Sequence, residues 1–122
     1  MGTADYFAGI DVSKDTLDAC LLLPSGKTKE ATFANDPNGH AALLAWADRH
    51  APGRPVHFCM EATGPYSEAP APHLADAGRP VSVVNPTRIK YAGLIRGRGN
   101  KTDAADARLI AQYAQREKPP AW

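Results

Sequence analysis

Tyr6-Phe7-Ala8-Gly9-Ile10-Asp11-Val12 is a short apolar run broken by one carboxylate, Asp11. Its length and composition read as a central β-strand. The next run, Thr16–Leu23, alternates Leu17, Ala19, Leu21 and Leu23 against Thr16, Asp18, Cys20 and Leu22. Pro24-Ser25-Gly26-Lys27 reads as a turn, and Thr28–Ala34 as a third strand pairing back. Three strands joined by such short links make an antiparallel meander.

Outward from the meander, strands and helices alternate. Asp36-Pro37-Asn38-Gly39 interrupts, and Gly39–His50 reads as an amphipathic helix with Ala42, Leu43, Ala45, Trp46 and Ala47 mostly at helical spacing. Pro52-Gly53 stops it, and Val56–Met60 is a short buried strand ending at Glu61. Position assigns a helix to Tyr66–Gly78, with Gly78 as its stop. Pro70 and Pro72 oppose an unbroken helix there and move its start to about Ala71-Pro72, where proline is tolerated in the first turn. Pro80–Val84 is a fifth strand, followed by helices over about Thr87–Ile95 and over Lys101–Gln115, and Pro119-Pro120 ends the order. The sequence βββαβαβαα predicts an α/β fold: a mixed five-stranded sheet flanked by helices, in one domain over residues 1–118 with a tail at 119–122.

Bulk composition narrows the class without naming a function. A chain of 122 residues suits one compact domain, and 43% hydrophobic with 22% charged residues is ordinary for a soluble globular protein. A net charge of +1 announces no nucleic-acid partner by itself. The two cysteines, Cys20 and Cys59, lie in apolar runs and form no CxxC, so buried hydrophobes are expected rather than a zinc site or a disulfide. No apolar stretch reaches the roughly 18 residues of a membrane span. The first residues lack the basic and apolar regions of a signal peptide, which makes the cytoplasm the expected location.

Four acids stand where acids are expensive or informative. Asp11 interrupts a central strand, where aspartate is depleted and costly to bury unpaired. Glu61 closes a buried strand at a loop, the position where sheet proteins place chemistry. Asp103 and Asp106 share a helical stripe with Ile110 and Tyr113, bordered by Leu109 and Ala114, so both acids lie on the face expected to meet the sheet. Three-residue spacing lets two carboxylates reach one ion. Gathered together, these four would repel one another, and Mg2+ or Mn2+, hard ions that prefer oxygen, would relieve the repulsion. Two such ions clamp the attacking and leaving oxygens of a phosphodiester. Each acid also has an ordinary reading: Asp11 accepting from a turn, Glu61 solvated on a loop, Asp103 and Asp106 favouring the positive end of a helix capped by Thr102.

Residues 88–101 hold Arg88, Lys90, Arg96, Arg98 and Lys101 and no acid, with Tyr91 and three glycines interleaved. Five of the chain's fourteen Lys and Arg residues fall in these fourteen positions. The segment reads as a basic loop laid along phosphates, or as a plain solvated cationic face.

Four motifs in order carry a family resemblance: Gly9-Ile10-Asp11-Val12-Ser13-Lys14, Met60-Glu61-Ala62-Thr63-Gly64, Val84-Asn85-Pro86 and Lys101-Thr102-Asp103-Ala104-Ala105-Asp106-Ala107-Arg108. From about Tyr6 to Gln115 the chain resembles the DEDD insertion-sequence transposases, relatives of the Piv-type invertases with a RuvC-like N-terminal domain. The resemblance implies a ribonuclease-H-like fold, an acidic centre at Asp11, Glu61, Asp103 and Asp106, magnesium, and cleavage and rejoining of DNA in transposition or site-specific recombination. It also implies a structured guide RNA as partner and assembly into dimers or tetramers. Members carry a further helical connection and a C-terminal domain with a nucleophilic serine, so this chain corresponds to an isolated or truncated N-terminal part. Ser13, in the first-strand motif, is not that serine. Pro70 and Pro72 stand where relatives tend to have helix-forming apolar residues.

Two other classes share features. Gly9–Lys14 resembles the first phosphate loop of actin- and sugar-kinase-like ATP-binding domains, but no second glycine-rich phosphate motif or adenosine motif accompanies it. A nucleic-acid-binding or dimerisation module without activity of its own also fits a chain of this length.

Overall fold

A computed structural model describes residues 5–61, 70–84 and 103–121, the side chains of 103–106 excepted. The elements run β1 (Tyr6–Val12), β2 (Thr16–Leu22), β3 (Thr28–Ala34), α1 (Pro37–His50), β4 (Val56–Glu61), α2 (Pro70–Asp76), β5 (Val81–Val84) and α3 (Asp103–Glu117). The expected helix at 87–95 lies outside the described residues.

The meander forms as its turns require. Ser13 N–H donates to the Thr16 carbonyl at 2.9 Å, closing the β1–β2 link. Gly26 takes φ +94°, a left-handed conformation natural to glycine, and donates to the Leu23 carbonyl at 2.9 Å. The sheet order is β3-β2-β1-β4-β5. β2 runs antiparallel to β1 and to β3, while β4 lies parallel to β1 and β5 parallel to β4. Two parallel pairs need helical crossovers, which places helices on the faces of the sheet.

Several boundaries differ from the sequence reading for local reasons. Helix α1 begins at Pro37, because Asp36 is its N-cap: the carboxylate accepts from Gly39 N–H at 2.7 Å, and proline at the first helical position loses no hydrogen bond. The described part of helix α2, Pro70–Asp76, contains both prolines. Its end is a Schellman cap: Gly78, at φ +80°, donates to the Ala75 carbonyl and Arg79 N–H to that of Leu74. Pro80 has no N–H for the ladder, so β5 starts at Val81, although the Pro80 carbonyl still accepts from Phe58 N–H.

Each face of the sheet has its own core. Ala8, Ile10, Val12, Leu17, Ala19, Leu21, Phe58, Met60 and Val81 meet Leu43, Trp46 and Ala47 of α1 and Ala71 and Leu74 of α2. On the other face, Phe7, Cys59 and Val84 meet Leu109, Ile110, Tyr113 and Ala114 of α3, while Cys20 and Leu22 meet Ala107 and Ala111. The result is three layers, helix–sheet–helix. Both cysteines are fully buried free thiols. Burial pushes Cys20 up to about 11, with Glu30 adding to it, so it is an inert thiol.

Helix α3 ends where Lys118 turns to φ +45° and Pro119 cannot continue it. The chain beyond remains docked. Pro119 is buried, and the buried Ser82 hydroxyl lies 2.7 Å from the Pro120 carbonyl, 3.1 Å from that of Pro119 and 2.7 Å from His57 Nε2. A hydroxyl has one proton, so the short geometry fits donation to Pro120 and acceptance from His57 Nε2–H.

Candidate active site

Strands β1 and β4 are parallel neighbours that finish at the same edge of the sheet. Ile10 pairs with Met60, so Asp11 and Glu61 follow one position further along adjacent strands. Side chains alternate along a strand, which places Asp11 with Phe7 and Gly9, and Glu61 with His57 and Cys59, on the α3 face. Both acids are partly exposed. The Glu61 charge is felt by Cys59, whose thiol is pushed up to about 12 by burial first and by Glu61 second.

Asp18, which in the sequence only alternates with the apolar residues of β2, stands directly opposite Asp11 in the antiparallel register. Thr32 of β3, opposite Asp18 in its turn, donates its hydroxyl to Asp18 Oδ1 at 2.8 Å. Farther along, Arg108 of α3 reaches Glu30 at 3.0 Å. Between them opens a cavity of about 190 Å³ lined by Asp18, Ala19, Glu30, Ala31, Thr32 and Ala107. The sequence signal for Asp18 lies only in register: its spacing from Asp11 fixes a cross-strand pair once the turn length is known.

The course of α3 is set at Gly9. A Cβ there would collide with the Ala107 carbonyl and the Ala111 amide, so the helix crosses β1 with backbone against backbone. Towards its C-terminus, Tyr113 and Ala114 pack with Phe7, and Lys118 Nζ lies 5.4 Å from the centre of the Phe7 ring. The helix therefore runs antiparallel to β1, with its first turn, which holds Asp103 and Asp106, directed to the edge where β1 ends. Ile110 and Tyr113, the apolar members of the expected stripe, are buried against the sheet. The side chains of Asp103 and Asp106 lie outside the described residues, as do Arg88, Lys90, Arg96, Arg98 and Lys101. Among the described residues, no group of three or more His, Cys, Asp and Glu side chains could hold a metal ion. Ser13 is a turn residue: its hydroxyl lies 3.0 Å from the Thr16 carbonyl and 2.8 Å from the Thr16 hydroxyl.

The fold is RuvC-like, of the ribonuclease-H-like type. T. thermophilus RuvC in complex with Holliday junction substrate superposes with a TM-score of 0.62 at 18% identity, covering 96% of this chain and 99% of that one. A second Thermus thermophilus RuvC structure gives 0.58 at 20% identity, covering 95% and 98%. The sequence places the chain more narrowly. A transposase family model, of the DEDD IS110 type, matches residues 8–121, and the chain belongs to that family. The pilin gene-inverting proteins of Moraxella lacunata and Moraxella bovis are each 36% identical to it over 117 residues, 95% of this chain. The chain spans 36% of the length of those relatives. Among the described residues, no helix is long and apolar enough to cross a membrane.

Proposed function

We propose that this domain supplies the acidic catalytic centre of a DNA recombinase. It cleaves and transfers DNA strands with Mg2+ or Mn2+ held by Asp11, Glu61, Asp103 and Asp106. The observation that carries the reading is the register of β1 and β4, which sets Asp11 and Glu61 side by side on the face that α3 covers, at the edge where both strands end. Carboxylates on adjacent parallel strands repel, and a cation between them relieves that repulsion.

The polarity of α3 supports the other two acids. From Ala107 back to Asp103 the helix rises about 6 Å at roughly 1.5 Å per residue. From Gly9 to Asp11 the strand advances about 6.6 Å at roughly 3.3 Å per residue. The backbone around Asp103 and Asp106 and the end of β1 at Asp11 therefore come level, which supports assigning these acids to one centre.

The donor set suits a hard ion: oxygen from carboxylates, with the nearest thiol, Cys59, wholly buried beneath α3. When bound, such an ion supplies charge neutralisation at phosphorus and a more acidic water. The chain's own part is to hold the carboxylates rigidly on strands and on a helix pinned at Gly9. Arg88, Lys90, Arg96, Arg98 and Lys101 are proposed to contact backbone phosphates. A structured guide RNA and homo-oligomeric assembly complete the proposal on the strength of the family alone. Family membership also favours this reading over an ATP-binding domain.

Calorimetric titration of the 122-residue chain with Mn2+ tests it. Asp11→Asn and Glu61→Gln should each abolish or severely weaken binding while leaving the circular dichroism spectrum unchanged. In a longer protein, Asp11→Asn should abolish metal-dependent DNA cleavage. Equal binding and equal cleavage by that variant would remove Asp11 from the mechanism. Metal binding without cleavage by any form of the protein would leave a nucleic-acid-binding module.

A further inference from the structure

We propose that Asp18 is a positioning residue that sets how tightly a divalent cation is held at Asp11, an inference that rests on the metal-site reading above. Asp18 and Asp11 are direct cross-strand partners in the β1–β2 pair. In such a pair the side chains start roughly 5 Å apart on one face, and like charges there are destabilising. The face is the one α3 covers, shared with the buried Cys20 and Leu22, so Asp18 is not a residue of the solvent side of the sheet.

Asp18 is also held in place. Thr32 Oγ1 donates to its Oδ1 at 2.8 Å, and Thr32 is its partner on the far strand. The three residues form a row across the sheet, with Thr32 restraining the Asp18 carboxylate next to Asp11. Thr32 and Asp18 line the same open cavity. Direct coordination is not required. A fixed negative charge beside the ligand strengthens cation binding through its field and by accepting from the ion's water shell. A unit charge about 6 Å from a divalent ion changes affinity about tenfold even at the dielectric constant of water. Low salt maximises the effect.

The other acid of the cavity has a different character. Glu30 also lines the cavity, but it pairs with Arg108 at 3.0 Å, two strand positions from Asp18. Its charge is matched locally, and it does not face Asp11.

The test compares Asp18→Asn, Glu30→Gln and Asp11→Asn with the native chain by Mn2+ titration, read both by calorimetry and by the thermal midpoint. Asparagine keeps the acceptor for Thr32, so a merely structural role predicts no change in either readout. Asp18→Asn should weaken Mn2+ about tenfold and shrink the rise in thermal midpoint that Mn2+ produces. Glu30→Gln should leave the Mn2+ affinity near native. A native affinity in Asp18→Asn, with Asp11→Asn defective, would overturn the role of Asp18 and leave the metal site standing. Equal weakening in Asp18→Asn and Glu30→Gln would reduce it to general surface charge, which also overturns it. No Mn2+ response in the native chain would remove the metal site and this role with it.

Discussion

The α-carbon of Gly9 on β1 lies against the carbonyl oxygen of Ala107 on α3, so near that one added carbon would strike both that oxygen and the Ala111 amide. This approach sets the separation of helix and sheet along the line that leads to Asp11. Gly9→Ala should therefore destabilise the chain by about 1–3 kcal/mol or more, since backbone cannot move aside as a side-chain tip can. Urea unfolding measures the change. A variant of native stability would show that α3 slides freely over β1.

Ser82 joins three parts of the chain: its hydroxyl lies 2.7 Å from both His57 Nε2 and the Pro120 carbonyl. Ser82→Ala should cost about 1–3 kcal/mol, because buried polar groups lose their partners. Hydrogen exchange should rise in the last turn of α3. Unchanged exchange would mean that apolar packing alone holds residues 118–121.

Acid should weaken the fold through His40. His40 is 2% exposed, and its Nε2 lies 2.9 Å from Asn35 Oδ1. Burial first, and then the His73 charge, hold its pKa below 6.5, with Asp36 opposing. Burial lowers His57 as well. A histidine depressed in the folded state takes up protons later than the unfolded chain does. Its contribution is complete above the unfolded pKa of 6.5 and is lost as pH falls through the folded value. The thermal midpoint should fall from pH 7 to pH 5, and His40→Gln should flatten part of that fall. A level profile would contradict this.

The basic segment is tested by salt. Neutralising Arg96 and Arg98 should weaken DNA binding and reduce the slope of log K against log salt by about 0.9 for each duplex phosphate that is no longer neutralised. Unchanged binding would return these residues to a plain cationic surface.

The meander, the crossovers and the sheet class are legible because each rests on local chemistry. Gly26 punctuates a hairpin, Gly78 a helix end, and alternation marks β2. The start of α1 falls earlier than the apolar pattern suggests, for a reason equally local: Asp36 caps before the periodicity begins. Asp11 and Glu61 are conspicuous because each opposes the character of its strand. Asp18 is not, because aspartate on an alternating strand reads as an outward polar residue.

Thus the sequence alone determined the element order, the apolar faces and the candidate acids, since hydrophobic period, turn residues and misplaced charge act over a few neighbouring positions. Only the tertiary structure decided which residues become partners. Setting β4 beside β1 makes neighbours of Asp11 and Glu61, and the β1–β2 register brings Asp18 opposite Asp11. Gly9 draws α3 down until backbone meets backbone, an approach that arises only when segments about a hundred residues apart pack against each other.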